Sequence, residues 1–91
     1  MQYLKVSWHH NLDSEPYEIW SELDNNRYEV RKIELYEDGH VGIASTNYNT
    51  VDCRLSTEPL PLLADINSDS QFIGCVVSSS RFEDLWSHAT I

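Results

Sequence analysis

Residues 17–36 read YEIWSELDNNRYEVRKIELY, two strand-like runs joined by Asp24-Asn25-Asn26. In the first run Tyr17, Ile19, Ser21 and Leu23 alternate with Glu18, Trp20, Glu22 and Asp24, the period of two that a strand requires. Asparagine tolerates positive φ at low cost, so the junction reads as a hairpin turn. The second run slips: Val30 has one parity, while Ile33 and Leu35 have the other. A β-bulge near Arg31-Lys32 reconciles them, because one extra residue turns every later side chain to the opposite face.

The same alternation extends outward. In QYLKVSW (2–8), Leu4, Val6 and Trp8 share one face, with Tyr3, Lys5 and Ser7 on the other. Residues 9–16, HHNLDSEP, form a polar loop. Glu37-Asp38-Gly39 is a second hairpin turn with Gly39 suited to φ > 0, followed by HVGIAS with Val41 and Ile43 inward. Residues 46–58 are loop-like, with a short strand expected at 50–55. Pro59-Leu60-Pro61 then opens a short helix through Leu62, Leu63 and Ile66, since proline is at ease in a first helical turn. Residues 72–78, FIGCVVS, read as a last, fully buried strand. Ser80-Arg81-Phe82-Glu83 has the form of a capping box. It opens a helix on which Phe82, Leu85, Trp86 and Ala89 make one apolar stripe. The expectation is an α+β fold: a single four- to five-stranded, mostly antiparallel sheet with two helices packed on one face.

Ninety-one residues suffice for one domain, 1–91. A chain of this size hides roughly 60–65% of its unfolded surface, and three Trp and five Tyr supply buried area that a small core lacks in depth. Six Lys+Arg against fifteen Asp+Glu leave a formal net charge of −9. That field opposes direct binding to nucleic acid or an anionic membrane and favours a basic partner. There is no signal-peptide pattern and no apolar run long enough to span a bilayer, so the expected location is the cytoplasm. Cys53 and Cys75 have neither zinc-site nor disulfide-framework spacing. Cys75 in FIGCVV reads as a buried hydrophobe and Cys53 as a free thiol.

The chemistry-bearing residues are few. His9-His10 with Asp13 and Glu15 resembles a metal site only superficially, because adjacent strand residues point apart and no HxH or HExxH spacing is present. Ordinary loop histidines, one bonded to Asp13 or Glu15, are the simpler reading. No G-x-S-x-G and no glycine-rich phosphate loop occurs, so neither catalytic residues nor a cofactor are expected. The more informative group is Glu18, Trp20, Glu22 and Asp24, outward when Ile19 and Leu23 are inward. Beyond the bulge, Lys32, Glu34 and Tyr36 join the same outer face. Carboxylates interleaved with exposed rings compose a protein-binding surface, with rings as anchors and charges steering a basic partner; the alternative is that the loop after the fourth strand, or the Glu15-Pro16 turn, covers Trp20.

Taken together, YLKVSWHH, EPYEIWSELD, YEVRKIELYEDG, HVGIAS and FEDLW resemble a bacterial domain family known only by an unknown-function label. The resemblance covers residues 2–45 and 72–88, and residues 46–71 resemble nothing named. Members look like small standalone cytoplasmic proteins found beside polymorphic toxins and contact-dependent growth inhibition systems. The resemblance implies an immunity protein that neutralises a cognate basic toxin, a ribonuclease or deoxyribonuclease. Glu15, Glu18, Trp20, Glu22, Asp24, Glu34 and Tyr36 are the expected toxin contacts, and the protein itself a monomer or weak dimer. Two other readings stay open: a phage-type nucleic-acid mimic that antagonises a host nuclease, and a metal- or ligand-binding regulator using His9 and His10.

Overall fold

The computed structural model describes residues 1–90. Its elements run β1 (Gln2–Trp8), β2 (Glu18–Leu23), β3 (Glu29–Leu35), β4 (Val41–Ser45), α1 (Leu63–Asn67), β5 (Phe72–Val76) and α2 (Ser79–Ala89). The strands form one antiparallel sheet in the order β4-β3-β2-β1-β5. The α+β fold and the single sheet therefore stand as expected.

The helices, however, take opposite faces of the sheet. Trp20, Ile33 and Ile43 lie in register across β2, β3 and β4, and they pack with Phe82, Leu85, Trp86 and Ala89 of α2. On the reverse face, a β-carbon built at Gly74 would meet Leu63 and Ile66 of α1 and Val6 of β1. The central strands are apolar on both sides, with Leu4, Val6, Ile19 and Leu23 opposite Tyr3, Trp20 and Ile33, so each side needs a cover. Topology supplies it. β4 and β5 are the two edges, and residues 46–71 cross the whole sheet on one side to connect them. α2 returns along the other side to touch β1 and β4.

One irregularity sets which polar side chains reach which cover. The β2–β3 register shifts between Glu22 and Leu23, which pair with Arg31 and Glu29. The bulge thus falls at Glu29–Arg31, slightly earlier than its expected place, and it turns Glu29 and Arg31 to opposite faces. Arg31 points under α2. Its guanidinium grips the Glu22 carboxylate at 2.6 and 3.0 Å, reaches Glu83 at 2.7 Å, and lies 5.0 Å from the centres of both the Phe82 and Trp86 rings. The Tyr3 hydroxyl donates to the same Glu22 carboxylate at 2.8 Å. Glu83 is thereby diverted from the expected capping box. Ser78 is the N-cap of α2 instead, its Oγ accepting from the Arg81 N–H.

On the reverse face Glu29, also buried, accepts from the Ser56 N–H at 2.6 Å, the Ser21 hydroxyl at 3.2 Å and Lys32 Nζ at 3.1 Å. Lys32 also donates to the Arg54 carbonyl. Arg27 donates to the carbonyls of Leu60 and Pro61 and to Gln2 Oε1. The 54–61 segment is thus pinned by side chains of the β2–β3 hairpin. In that hairpin Arg27, not an asparagine, takes the left-handed conformation at φ 68°. Asp24 Oδ1 absorbs the N–H groups of Asn26 and Tyr28, and the three side-chain bonds of Arg27 offset a strain of about 1–2 kcal/mol. Gly39 takes the expected positive φ, at 93°.

Several local expectations change for the same tertiary reasons. Residues 50–55 form no strand, only an Ala44–Asn49 bridge, because Thr50 folds back to bond Ile43. The short helix begins at Leu63 rather than at Pro59. β5 is an exposed edge rather than a buried strand, with Ile73 and Val76 open to solvent. Consequently Cys75 is exposed, and Cys53 is the buried cysteine, its thiol pushed up to about 12 by burial. The β5 edge is nevertheless partly closed: the Asn67 side-chain amide donates to the Gly74 carbonyl at 3.0 Å and accepts its N–H at 2.6 Å. A β-carbon at Gly74 would stand 2.9 Å from Leu63 Cδ2 and 3.4 Å from Ile66 Cγ2, so a side chain there would push α1 outward.

Two outcomes follow. The hydrogen bonds from Arg31 hold the Glu22 carboxyl below its ordinary value of 4.5. Its stabilisation is therefore complete above that pH and lost as pH falls through the lowered value. Arg31→Ala should cost about 3 kcal/mol in chemical denaturation by stranding a buried carboxylate. Glu22→Gln should flatten the acid limb of melting temperature against pH, and an unchanged acid limb would disprove the assignment. Asn67→Ala should leave the circular dichroism spectrum unchanged while raising self-association in sedimentation velocity, because it uncovers backbone donors and acceptors on an edge strand.

Candidate functional site

In an antiparallel meander the β1–β2 and β3–β4 connections emerge at the same end of the sheet. Here those connections are residues 9–17 and 36–40, and they enclose an open cleft of about 970 Å³. Trp8, His10, Tyr17 and Tyr36 supply its rings, with Glu37 and Asn11 between them. The aromatic groups are organised by mutual contact. Trp8 meets the His10 ring edge-on at 4.3 Å and stacks on Phe72 at 5.8 Å, and Tyr36 stacks on His40 at 3.9 Å.

His10 fixes the wall formed by the longer loop. Its Nδ1 accepts from the Leu12 N–H at 2.9 Å and its Nε2 lies 2.7 Å from the Pro16 carbonyl. That pairing takes the neutral imidazole with the proton on Nε2, and it replaces the expected bond to Asp13 or Glu15. Both ring nitrogens are occupied, so His10 has none left for a metal. Among the described residues no three His, Cys, Asp or Glu side chains converge as metal ligands. On the opposite wall Asp38 accepts from the His40 backbone N–H and ring, which together hold its carboxyl below the usual range. Burial raises the Tyr36 phenol to about 12, and its hydroxyl donates to Glu34 Oε1 at 3.3 Å.

The electrostatics of this end are one-sided. The two connections carry Asp13, Glu15, Glu37 and Asp38 and no lysine or arginine. Five of the six basic side chains, all outside these connections, contact the chain's own groups: Arg31 with Glu22, Lys32 with Glu29, Arg27 with the 60–61 carbonyls, and Lys5 and Arg81 against the Trp20 ring, while Arg54 is exposed. The aromatic cleft thus sits in an unrelieved negative field.

The chain matches the family described as "Domain of unknown function (DUF6881)" over residues 2–91. It belongs to that family. No curated protein and no solved structure matches the chain.

In this DUF6881 domain the seven residues expected to form one binding face are dispersed. Trp20 and Glu22 are each only 6% exposed beneath α2, Trp20 donating its indole N–H to Glu18 Oε1 at 2.7 Å. The strip that alternation marked as outer is the floor of the helical layer. Glu34 and Tyr36 lie on the reverse face, because the register pairs Ile33 with Trp20 and Glu34 with Ile19. Asp24 sits at the opposite end of the sheet, spent on its own turn. Tyr36 lines the cleft, Glu15 lies in the 9–17 connection that forms one of its walls, and Glu18 begins β2 beside it. Trp8, Tyr17, Glu37 and His40 were missed. Their signal lay in the loops: WHH and PY flank one connection, LYEDGH forms the other, and hairpin topology brings both together.

His10→Ala should speed amide hydrogen exchange at Leu12 and across residues 9–16, while costing no more than about 1–1.5 kcal/mol globally. Exchange unchanged in that loop would show that the imidazole does not organise it.

Proposed function

We propose that this DUF6881 domain is an immunity protein, a non-enzymatic inhibitor that binds and neutralises a cognate basic toxin, a nuclease, in the cytoplasm. One observation carries the reading: an aromatic cleft lined by Glu37, between two connections that bear four carboxylates and no lysine or arginine. A nuclease needs a basic groove for phosphate, and this end of the sheet complements such a groove in charge while offering rings for desolvated anchoring. The contacts shift accordingly from the strand faces to the loops. Glu15, Glu37 and Asp38 steer the partner, Trp8 and Tyr17 anchor it over the buried Tyr36 ring, and Glu18 lies at the margin. Trp20 and Glu22 act only through stability.

Co-expression with the product of the adjacent upstream gene should restore growth and yield a complex that co-purifies. The association rate should fall about tenfold or more between ~50 and ~500 mM salt. Tyr17→Ala should raise the dissociation rate about tenfold, and Glu15→Lys with Glu37→Lys should slow association. Unrelieved growth arrest, or a rate insensitive to salt, would overturn the proposal.

A further inference from the structure

The reverse face of the sheet holds a second cavity, of about 440 Å³, between the strands and the crossing segment 56–69. Its lining is chiefly apolar: Val6 and Ile19 from the sheet, with Leu60, Ile66 and Phe72 around them. All five remain only partly buried, because the cover is pinned at Glu29, Lys32 and Arg27 and stands off from the strands beyond those pins. The cavity is open to solvent, and its volume falls in the range of small-molecule sites.

The polar groups specify the kind of guest. Glu29 and Lys32, the charged pair on the floor, neutralise one another at 3.1 Å and have further partners in Ser56, Ser21 and the Arg54 carbonyl. They demand nothing of a ligand. At the mouth stand two exposed carboxylates, Asp65 on α1 and Asp69 just beyond its C-terminal end. Asp69 accepts the Gln71 N–H through Oδ1, leaving Oδ2 for a guest. No cation answers these two carboxylates from within the lining except Lys32, which is already paired.

We infer that this cavity binds a small amphipathic amine, its apolar body against Val6, Ile19, Ile66 and Phe72 and its ammonium at Asp65 and Asp69. The site is separate from the aromatic cleft and does not depend on the toxin reading. An anionic molecule of the same shape is repelled at the mouth, and a neutral one gains only the apolar contact.

Tryptamine, indole and indole-3-acetate share one ring system and differ in charge, so they separate these contributions. Chemical-shift titration of the full chain should show tryptamine perturbing the amides of Val6, Ile19, Ser21, Ser56, Ile66 and Phe72. It should bind about tenfold more tightly than indole-3-acetate, with indole between them. Asp65→Asn combined with Asp69→Asn should bring the three affinities together while leaving that of indole unchanged, which also reports that the variant is folded. Three equal affinities in the natural chain, no perturbation by any of the three, or tryptamine shifts confined to residues 8–17 and 36–40 would overturn the assignment.

Discussion

The interaction on which the rest of this fold depends is the Glu22–Arg31 pair beneath α2. A buried carboxylate is paired with a half-buried guanidinium, which is tolerable only where geometry and further hydrogen bonds compensate. Here the grip is bidentate, Tyr3 and Glu83 complete the shell, and the guanidinium plane contacts the Phe82 and Trp86 rings. The pair therefore works as a register pin. A slip of one residue between β2 and β3 would leave both charges on mismatched faces, uncompensated.

The bulge at Glu29–Arg31 makes this pin compatible with a second one. In an unbroken strand residues 29 and 31 would share a face; with one extra residue between them, Arg31 serves the helical layer and Glu29 serves the crossing segment. Both covers are thus anchored by acid–base contacts originating in the same short stretch of β3. A chain with little depth of core uses charged side chains to fix layers that hydrophobic area alone would leave free to slide.

Where the molecule can meet a partner follows from this arrangement. Both broad faces are covered over the central strands, the β4 edge is occupied by Tyr48–Thr50, and the β5 edge is partly clipped by Asn67. The ends of the sheet remain. Only the end bearing the β1–β2 and β3–β4 connections combines a cleft, aromatic rings and unanswered carboxylates. Interaction at that end leaves the sheet's backbone pairing untouched and places functional side chains on loops held by a rigid frame.

Much of the fold was legible because strand alternation, Gly39 and the Phe82–Ala89 stripe are local signals, each set by the geometry of a few neighbouring residues. Even the parity slip around Val30 announced the bulge. Local pattern could not say which face would be wet: β2 is apolar on one side and carries Trp20 on the other, and either could have been solvated. The crossing of 46–71 and the return of α2 decided that both would be covered, which buried Trp20 and Glu22 and moved the candidate site to the loops. Local pattern alone set the five strands that form, the Gly39 turn, the apolar stripe of the last helix and the acidity of the whole. Only the tertiary structure decided which charges are spent inside, which cysteine is exposed and where rings meet free carboxylates, because those outcomes depend on contacts between segments far apart in the chain.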